Sequence, residues 1–280
     1  MKFKIALQYL LPQHFLSRLL GKLANCRIKP IKNFLITILR KAYKIDMSSA
    51  LEPNPLNYNN FNDFFTRHLK PEARPIATES NAIISPVDGK VLQFGSCNAQ
   101  QLINAKGFDF TLSQLLGDPA LAESFNNGQF AVLYLAPNNY HRIHMPLNGK
   151  LEKMLYIPGK LFSVSPQIVA AIPNVFARNE RVVNIFTTTA GPMAVIFVGA
   201  MIVGSIATTW AGTVTADRKA TINSWDYSDK NIAFETGAEI GKFMFGSTVI
   251  LLLPRNSMQW QPTMAVAAPI KMGEKIGSLS

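Results

Sequence analysis

The sequence predicts an α+β protein, a predominantly antiparallel β core with N-terminal amphipathic helices. Three observations carry this expectation. Apolar residues recur at helical spacing before residue 45. From Ala82 onward, short runs rich in Val, Ile, Phe and Thr alternate with Gly, Pro and Asn. The excess positive charge is confined to the first of these regions. Apolar positions three and four apart mark a helix face, whereas short β-branched runs between turn formers mark strands.

Residues 3–45 read as helix, broken near Cys26 to Pro30. Phe15, Leu16, Leu19, Leu20 and Leu23 share a face, with Ser17, Arg18, Gly21 and Lys22 opposite. Ile31, Phe34, Leu35, Ile38 and Leu39 do the same against Lys32, Asn33, Arg40 and Lys41. Met47 to Asn60, with Pro53 and Pro55, is a connector. A further helix is expected over Phe61 to Leu69, capped by Asn60 and ended by Pro71 and Pro75. Strands are expected at Ala82–Ser85, Lys90–Phe94, Phe130–Leu135, Gly149–Ile157, Val182–Thr189, Met193–Val203, Ala207–Thr215 and Ser247–Leu253. Leu112–Leu116 and Pro119–Phe125 read as short helices within that series. The chain therefore divides into a basic helical region, 1–48, and a β-rich domain, 49–280. With 48% hydrophobic residues it can bury a sizeable core, which excludes a disordered protein.

Of the net charge of +11, ten Lys or Arg lie in residues 1–45, where there is no Asp or Glu. The remainder has 18 basic and 17 acidic residues. Such asymmetry points to an anionic surface as partner. The apolar residues interleaved with the charges favour an anionic bilayer over nucleic acid, each cation near that surface contributing about 1 kcal/mol. The competing reading is two surface helices whose apolar stripes pack on the domain. No run reaches the 18 or so apolar residues of a spanning helix; Ala194 to Ala207 is interrupted by Gly199, Gly204 and Ser205 and reads as strand. The run from Ile5 to Leu11 is broken by Gln8 and Pro12, with no small-residue cleavage site after it, so a signal peptide is not expected. Cys26 and Cys97 read as reduced thiols of a cytoplasmic protein.

Three short motifs carry chemistry. Ser85-Pro86-Val87-Asp88-Gly89-Lys90 joins two strands, Tyr140-His141-Arg142-Ile143-His144 follows a strand ended by Pro137-Asn138-Asn139, and Gly246-Ser247-Thr248 opens an apolar strand. Taken singly, Asp88 is a turn former, the histidines are a half-formed metal site or surface residues, and Gly246-Ser247 is a β bend. No second cluster has ligand spacing, so no metal is expected. Taken together and in this order, they resemble the phosphatidylserine decarboxylases, the pyruvoyl-dependent enzymes of prokaryotic type I. The resemblance runs from roughly Asn60 to Leu253. It includes Phe64-Phe65-Thr66-Arg67-His68-Leu69-Lys70-Pro71, Arg74-Pro75-Ile76 and Pro158-Gly159-Lys160-Leu161-Phe162-Ser163-Val164. Phe245 departs from it, standing where the family usually has leucine.

The resemblance implies self-cleavage at Gly246-Ser247. Ser247 Oγ attacks the Gly246 carbonyl, and the ester then loses its acyl partner by β-elimination. Hydrolysis of the resulting dehydroalanine leaves a pyruvoyl group and ammonia. It implies a β chain 1–246 and an α chain 247–280 that stay associated, with His144 as base, Asp88 as its carboxylate partner and Ser247 as nucleophile. A Schiff base between the pyruvoyl ketone and the substrate amine would draw off the electrons left by CO2, giving phosphatidylethanolamine. His141 is then assigned to decarboxylation or the protonation that follows, and Phe162 to the substrate pocket. Arg142 is open to a lipid phosphate or to an ion pair. The implied setting is the cytoplasmic side of the cell membrane, as a peripheral homodimer acting on phosphatidylserine and not on nucleic acid.

Two other classes fit parts of the pattern. A serine hydrolase would use the same three residues on an external ester, but it lacks the Gly-x-Ser-x-Gly elbow and the alternating helices of that fold. A membrane-bound β module without catalysis would account for the Pro-Val-Asp-Gly-Lys-Val and Met-Pro-Leu-Asn-Gly-Lys turns, but not for the histidines or the Gly-Ser step.

Overall fold

The computed structural model describes residues 2–97, 110–201, 205–214, 221–244 and 247–280. Helices α1 (Lys2–Leu10), α2 (Gln13–Ala24) and α3 (Lys29–Tyr43) come first, and α4 (Phe61–Phe65) follows the connector. The strands then begin with β1 (Ala82–Ile84) and β2 (Gly89–Ser96). Short helices α5 (Leu112–Leu116) and α6 (Pro119–Glu123) precede β3 (Gln129–Leu135), β4 (Arg142–His144) and β5 (Gly149–Ile157). Helices α7 (Pro166–Val169) and α8 (Val175–Arg178) lead into β6 (Arg181–Thr188), β7 (Gly191–Val198), β8 (Ile206–Thr208) and β9 (Gly212–Thr213). Next come β10 (Asn223–Asp226), β11 (Ala233–Phe234), β12 (Glu239–Phe243) and β13 (Ser247–Leu253). The chain ends with β14 (Met258–Trp260), β15 (Pro269–Ile270) and β16 (Lys275–Leu279).

Among the described residues the strands form three antiparallel sheets. The largest runs β10-β5-β6-β7-β13-β3-β2-β15, with β11 also on β5. The smaller two are β1-β16-β14 and β4-β12-β8-β9. The mostly antiparallel core expected from the sequence is therefore observed. Strand β13 is hydrogen-bonded on both sides, with Thr248 opposite both Tyr134 of β3 and Val198 of β7. Its side chains alternate between two cores. Ile250 and Leu252 pack with Leu115, Phe125 and Phe176 under α5, α6 and α8. Val249, Leu251 and Leu253 pack with Ile143, Phe197 and Phe243 beneath the small sheets. Burial of each such side chain stabilises by about 1.5–3 kcal/mol.

The N-terminal helices break where expected at residues 25–28 and again at Leu11–Pro12. Helix α4 is shorter than the predicted Phe61–Leu69. Asn60 caps it as anticipated, but Thr66 turns its hydroxyl back onto the Asn62 carbonyl, and the chain beyond pairs Leu69 with Ala50. Strand β7 stops at Val198; Ile202 and Val203, expected in the same strand, lie outside the described residues, as does Thr215. Cys26 and Cys97 are free thiols.

Helices α1–α3 turn apolar side chains outward. Leu10 is 79% exposed, Phe15 60% and Phe34 64%, with Leu19, Leu23 and Ile38 beside them. The inner side of α2 instead buries Gln13 and Ser17. The stripes therefore do not pack wholly on the domain; an apolar face of this size is characteristic of an interaction surface. Among the described residues no helix is long and apolar enough to cross a membrane.

Gly89 joins the Asp88 turn to β2, and a Cβ there would run into the Tyr134 carbonyl of β3. Gly89→Ala should therefore push β2 off β3 and destabilise by about 1–3 kcal/mol, read as a lowered denaturant midpoint.

Candidate active site

The candidate side chains lie on the Asp88 turn, in and just before β4, and at the start of β13. His144 N–H donates to the Pro86 carbonyl at 2.9 Å, and Phe243 N–H to the His141 carbonyl at 3.1 Å. These two bonds tie the Asp88 turn, the histidine strand β4 and the approach to Ser247 into one frame. Gly246 and Phe245 lie outside the described residues.

Ser247 is fully buried, and neither its Oγ nor the Thr248 Oγ1 has a hydrogen-bond partner. Leaving a hydroxyl desolvated and unpaired costs about 1–3 kcal/mol. Such a group in a well-packed core requires an explanation, and a reacting role is one.

Both histidines hold a proton on Nδ1. His144 Nδ1 lies 2.7 Å from the Gly237 carbonyl and His141 Nδ1 lies 2.9 Å from the Asn139 carbonyl. A carbonyl only accepts, so in each neutral ring the basic nitrogen is Nε2. His144 Nε2 accepts from the Tyr140 hydroxyl at 2.9 Å. His141 Nε2 is buried with no partner, and Phe65 covers the ring at 4.1 Å between centroids. Burial lowers the pKa of His144, outweighing the bond to Gly237 and the nearby Glu239. Burial pushes His141 down to about 3, against its bond to Asn139 and with help from the Arg67 charge. Both are neutral bases at neutral pH.

Asp88 is buried, and its carboxylate is taken by the Arg74 guanidinium, with Nε at 2.8 Å and Nη2 on the other oxygen. It also accepts the Met272 N–H at 3.0 Å. The bonds implied by the resemblance, Asp88 to His144 and His144 to Ser247, are thus not made. Asp88 acts on His144 only through its field, favouring the charged ring. Catalytic hydrogen bonds are often long or unformed before the reacting geometry is reached. Arg142 resolves to an ion pair, its Nη1 lying 2.7 and 2.8 Å from the Glu239 carboxylate oxygens. Phe162 is buried, edge-on to Tyr9 at 5.1 Å.

Sequence reasoning quoted Tyr140, Arg74 and Arg67 within motifs but gave them no part. Arg67 is 4% exposed, with Nε and Nη1 unpartnered and Nη2 3.4 Å from the Asn138 carbonyl. Burial lowers its pKa. A buried guanidinium with unused donors next to His141 gives this region a positive charge suited to an anion. Among the described residues no three His, Cys, Asp or Glu side chains converge as a metal site.

The fold is a β-sheet protein with a desolvated, unpartnered serine at the head of a central strand and two buried, neutral histidines in β4 and just before it. A family model described as phosphatidylserine decarboxylase matches residues 61–278, and another, described as PSD, matches residues 3–44. Similar proteins include the phosphatidylserine decarboxylase proenzymes of Psychromonas ingrahamii, 48% identical over 99% of this chain and 97% of that one, and of Vibrio cholerae, 47% identical over 98% and 97%. That of Pseudoalteromonas translucida is 52% identical over 89% and 88%. The chain belongs to the phosphatidylserine decarboxylase family.

An unfolded histidine takes its proton near pH 6.5, whereas folded His141 does so only near 3. Its contribution to stability is therefore full above about pH 6.5 and is lost as pH falls, by at most about 1.4 kcal/mol per unit. The unfolding midpoint should drop between pH 7 and 5, and His141→Phe should flatten that slope; an unchanged slope would assign the effect elsewhere.

Proposed function

We propose that the protein decarboxylates phosphatidylserine to phosphatidylethanolamine, using a pyruvoyl group that it makes from Ser247. The observation that carries this reading is the buried, unpartnered Ser247 hydroxyl at the head of the central strand, in a chain of this family. The word proenzyme in the relatives' names agrees with a chain that must be processed.

In maturation, His144 Nε2 takes the Ser247 hydroxyl proton after Tyr140 yields its place. The Oγ attacks the Gly246 carbonyl carbon, the Gly246–Ser247 amide breaks, and β-elimination from the resulting ester releases the Gly246 carboxylate. Asp88, fixed by Arg74, favours the protonated state of His144 that forms at this step. The residues fit the group: Ser247 supplies it, and its surroundings are already dry. A pyruvoyl ketone supplies the electron sink that loss of CO2 from an amino acid requires. His141, neutral and close to Arg67, presents a bare Nε2 to the head group, where it can accept a proton that the substrate ammonium gives up and return it to the substrate Cα after CO2 has left. A neutral ring does not stabilise the carboxylate charge that must be lost.

Residues 1–48 act as a membrane-attachment region and 49–280 as the catalytic domain. The outward apolar faces of α1–α3 and the ten basic residues before Ile45 support peripheral attachment to an anionic bilayer at its cytoplasmic side. The processed chains 1–246 and 247–280 remain together, and two such units form a homodimer.

Mass measurement on the denatured protein should find two chains, the smaller comprising 34 residues, 247–280, and lighter than its serine-ended form by one ammonia. Ser247→Ala should stay uncut and inactive, and normal decarboxylation by it would remove the proposed cofactor. His144→Ala should mature at least about 100-fold more slowly. His141→Ala should mature yet turn over poorly; the opposite pattern would exchange their roles.

A further inference from the structure

On the reading of this protein as a lipid decarboxylase, we propose that the groove between the α1–α2 elbow and the loop after β5 binds the phosphodiester of a glycerophospholipid. The groove has a volume of about 400 Å³. Arg18, Lys160 and Arg178 line it with His14, and no lining residue is acidic. Its cations are held in place by the backbone. Lys160 N–H donates to the Arg178 carbonyl and Glu180 N–H to the Lys160 carbonyl, each at 2.8 Å, which sets the two basic residues side by side. The Arg178 guanidinium lies 4.7 Å from the Phe162 ring centroid and 5.8 Å from that of Tyr9, while Nη1 donates to the Pro173 carbonyl at 3.2 Å. A planar guanidinium stiffened by two rings is well suited to a phosphate oxygen pair.

The groove is built rather than incidental. Three hydrogen bonds fasten the elbow to the loop: Ser163 N–H to Gln8 Oε1 at 2.9 Å, Leu161 N–H to Gln13 Oε1 at 2.7 Å, and His14 Nε2 to the Gly159 carbonyl at 3.0 Å. This explains why α2 buries its polar Gln13 while its apolar residues face out. Leu10 and Phe15, both exposed, stand beside the groove where the acyl chains of a bound lipid would leave it. That pairing of charge with apolar surface favours a lipid over a soluble anion.

The groove also communicates with the reactive strand. Asn179 Nδ2 donates to the Phe162 carbonyl at 2.8 Å and the Gly199 carbonyl at 2.9 Å; Gly199 follows Val198, which pairs with Thr248. The groove thus opens at the sheet end that carries Ser247. Its occupant is either the substrate's own phosphodiester or that of a second phospholipid.

The test compares Arg178→Gln and the double variant Arg18→Gln/Lys160→Gln with the processed wild type and with Arg255→Gln, which removes one positive charge, as Arg178→Gln does, just past the far end of β13. Two assays are run: turnover of monomeric dihexanoyl phosphatidylserine with dihexanoyl phosphatidylglycerol as competitor, and turnover in phosphatidylcholine vesicles with phosphatidylglycerol added. If the groove holds the substrate's phosphate, KM rises at least tenfold with kcat within twofold, and the competitor loses its effect. If it holds a second lipid, KM for the monomer is unchanged and the stimulation by phosphatidylglycerol in vesicles disappears. Arg178→Lys should retain part of either behaviour. The proposal is overturned if the groove variants match Arg255→Gln in both assays. Cleavage into two chains certifies that each variant folds, and a wild type that neither cuts nor decarboxylates would instead remove the underlying assignment.

Discussion

The rest of the structure depends on how β13 is held. Hydrogen-bonded to β3 and β7 at once, with five aliphatic side chains divided between two cores, it has no freedom to slide or tilt. A slip of one residue would exchange the faces of Val249 to Leu253 and empty both cores together. The first residue of that strand is Ser247, so its hydroxyl is delivered to a fixed point at the expense of leaving it dry and unbonded. Ordinary packing would eliminate such a group; here the apolar strand overrides the local cost.

The surrounding polar groups are tuned by desolvation more than by direct pairing. Both histidines give Nδ1–H to a main-chain carbonyl, which needs no second ionisable group and fixes the tautomer. The carboxylate expected beside His144 is engaged by Arg74 and the Met272 amide, and reaches the ring by its field. A neutral base screened from water and a carboxylate gripped by a guanidinium stand apart here, where a direct triad would join them.

Much of the fold was legible in the sequence because its signals are local. Most strand runs, the break before Pro30 and the Asn60 cap correspond to observed elements, whereas Ala207–Thr215, expected as one strand, turns at residues 209–211 into the β8–β9 hairpin. Strands β4, β10 to β12 and β14 to β16, two to five residues long, were not anticipated, since segments so short carry no period. Helix α4 was overestimated because its end is set by a tertiary bridge to Ala50. Of the candidate site, Ser247, His141, His144 and Asp88 were named from motifs. The Tyr140 bond to His144 and the Arg74 grip on Asp88 are side-chain pairings four and fourteen residues apart, and no pattern of types announces them. The direction of the amphipathic faces was likewise open: periodicity defines a stripe, not which way it looks.

The segment that begins at Ser247 is woven through the molecule. It supplies the middle of the large sheet in β13, an edge partner for β2 in β15, and the centre of the β1-β16-β14 sheet. A backbone break ahead of it would leave the native shape intact but erase the covalent memory needed to rebuild it. Once pulled apart, the two pieces would have to find each other by diffusion, and the short one, too small for a core of its own, would face water as bare strands. Such a protein would owe its persistence to slow opening and not to equilibrium with its unfolded chains, having been assembled once as a single thread.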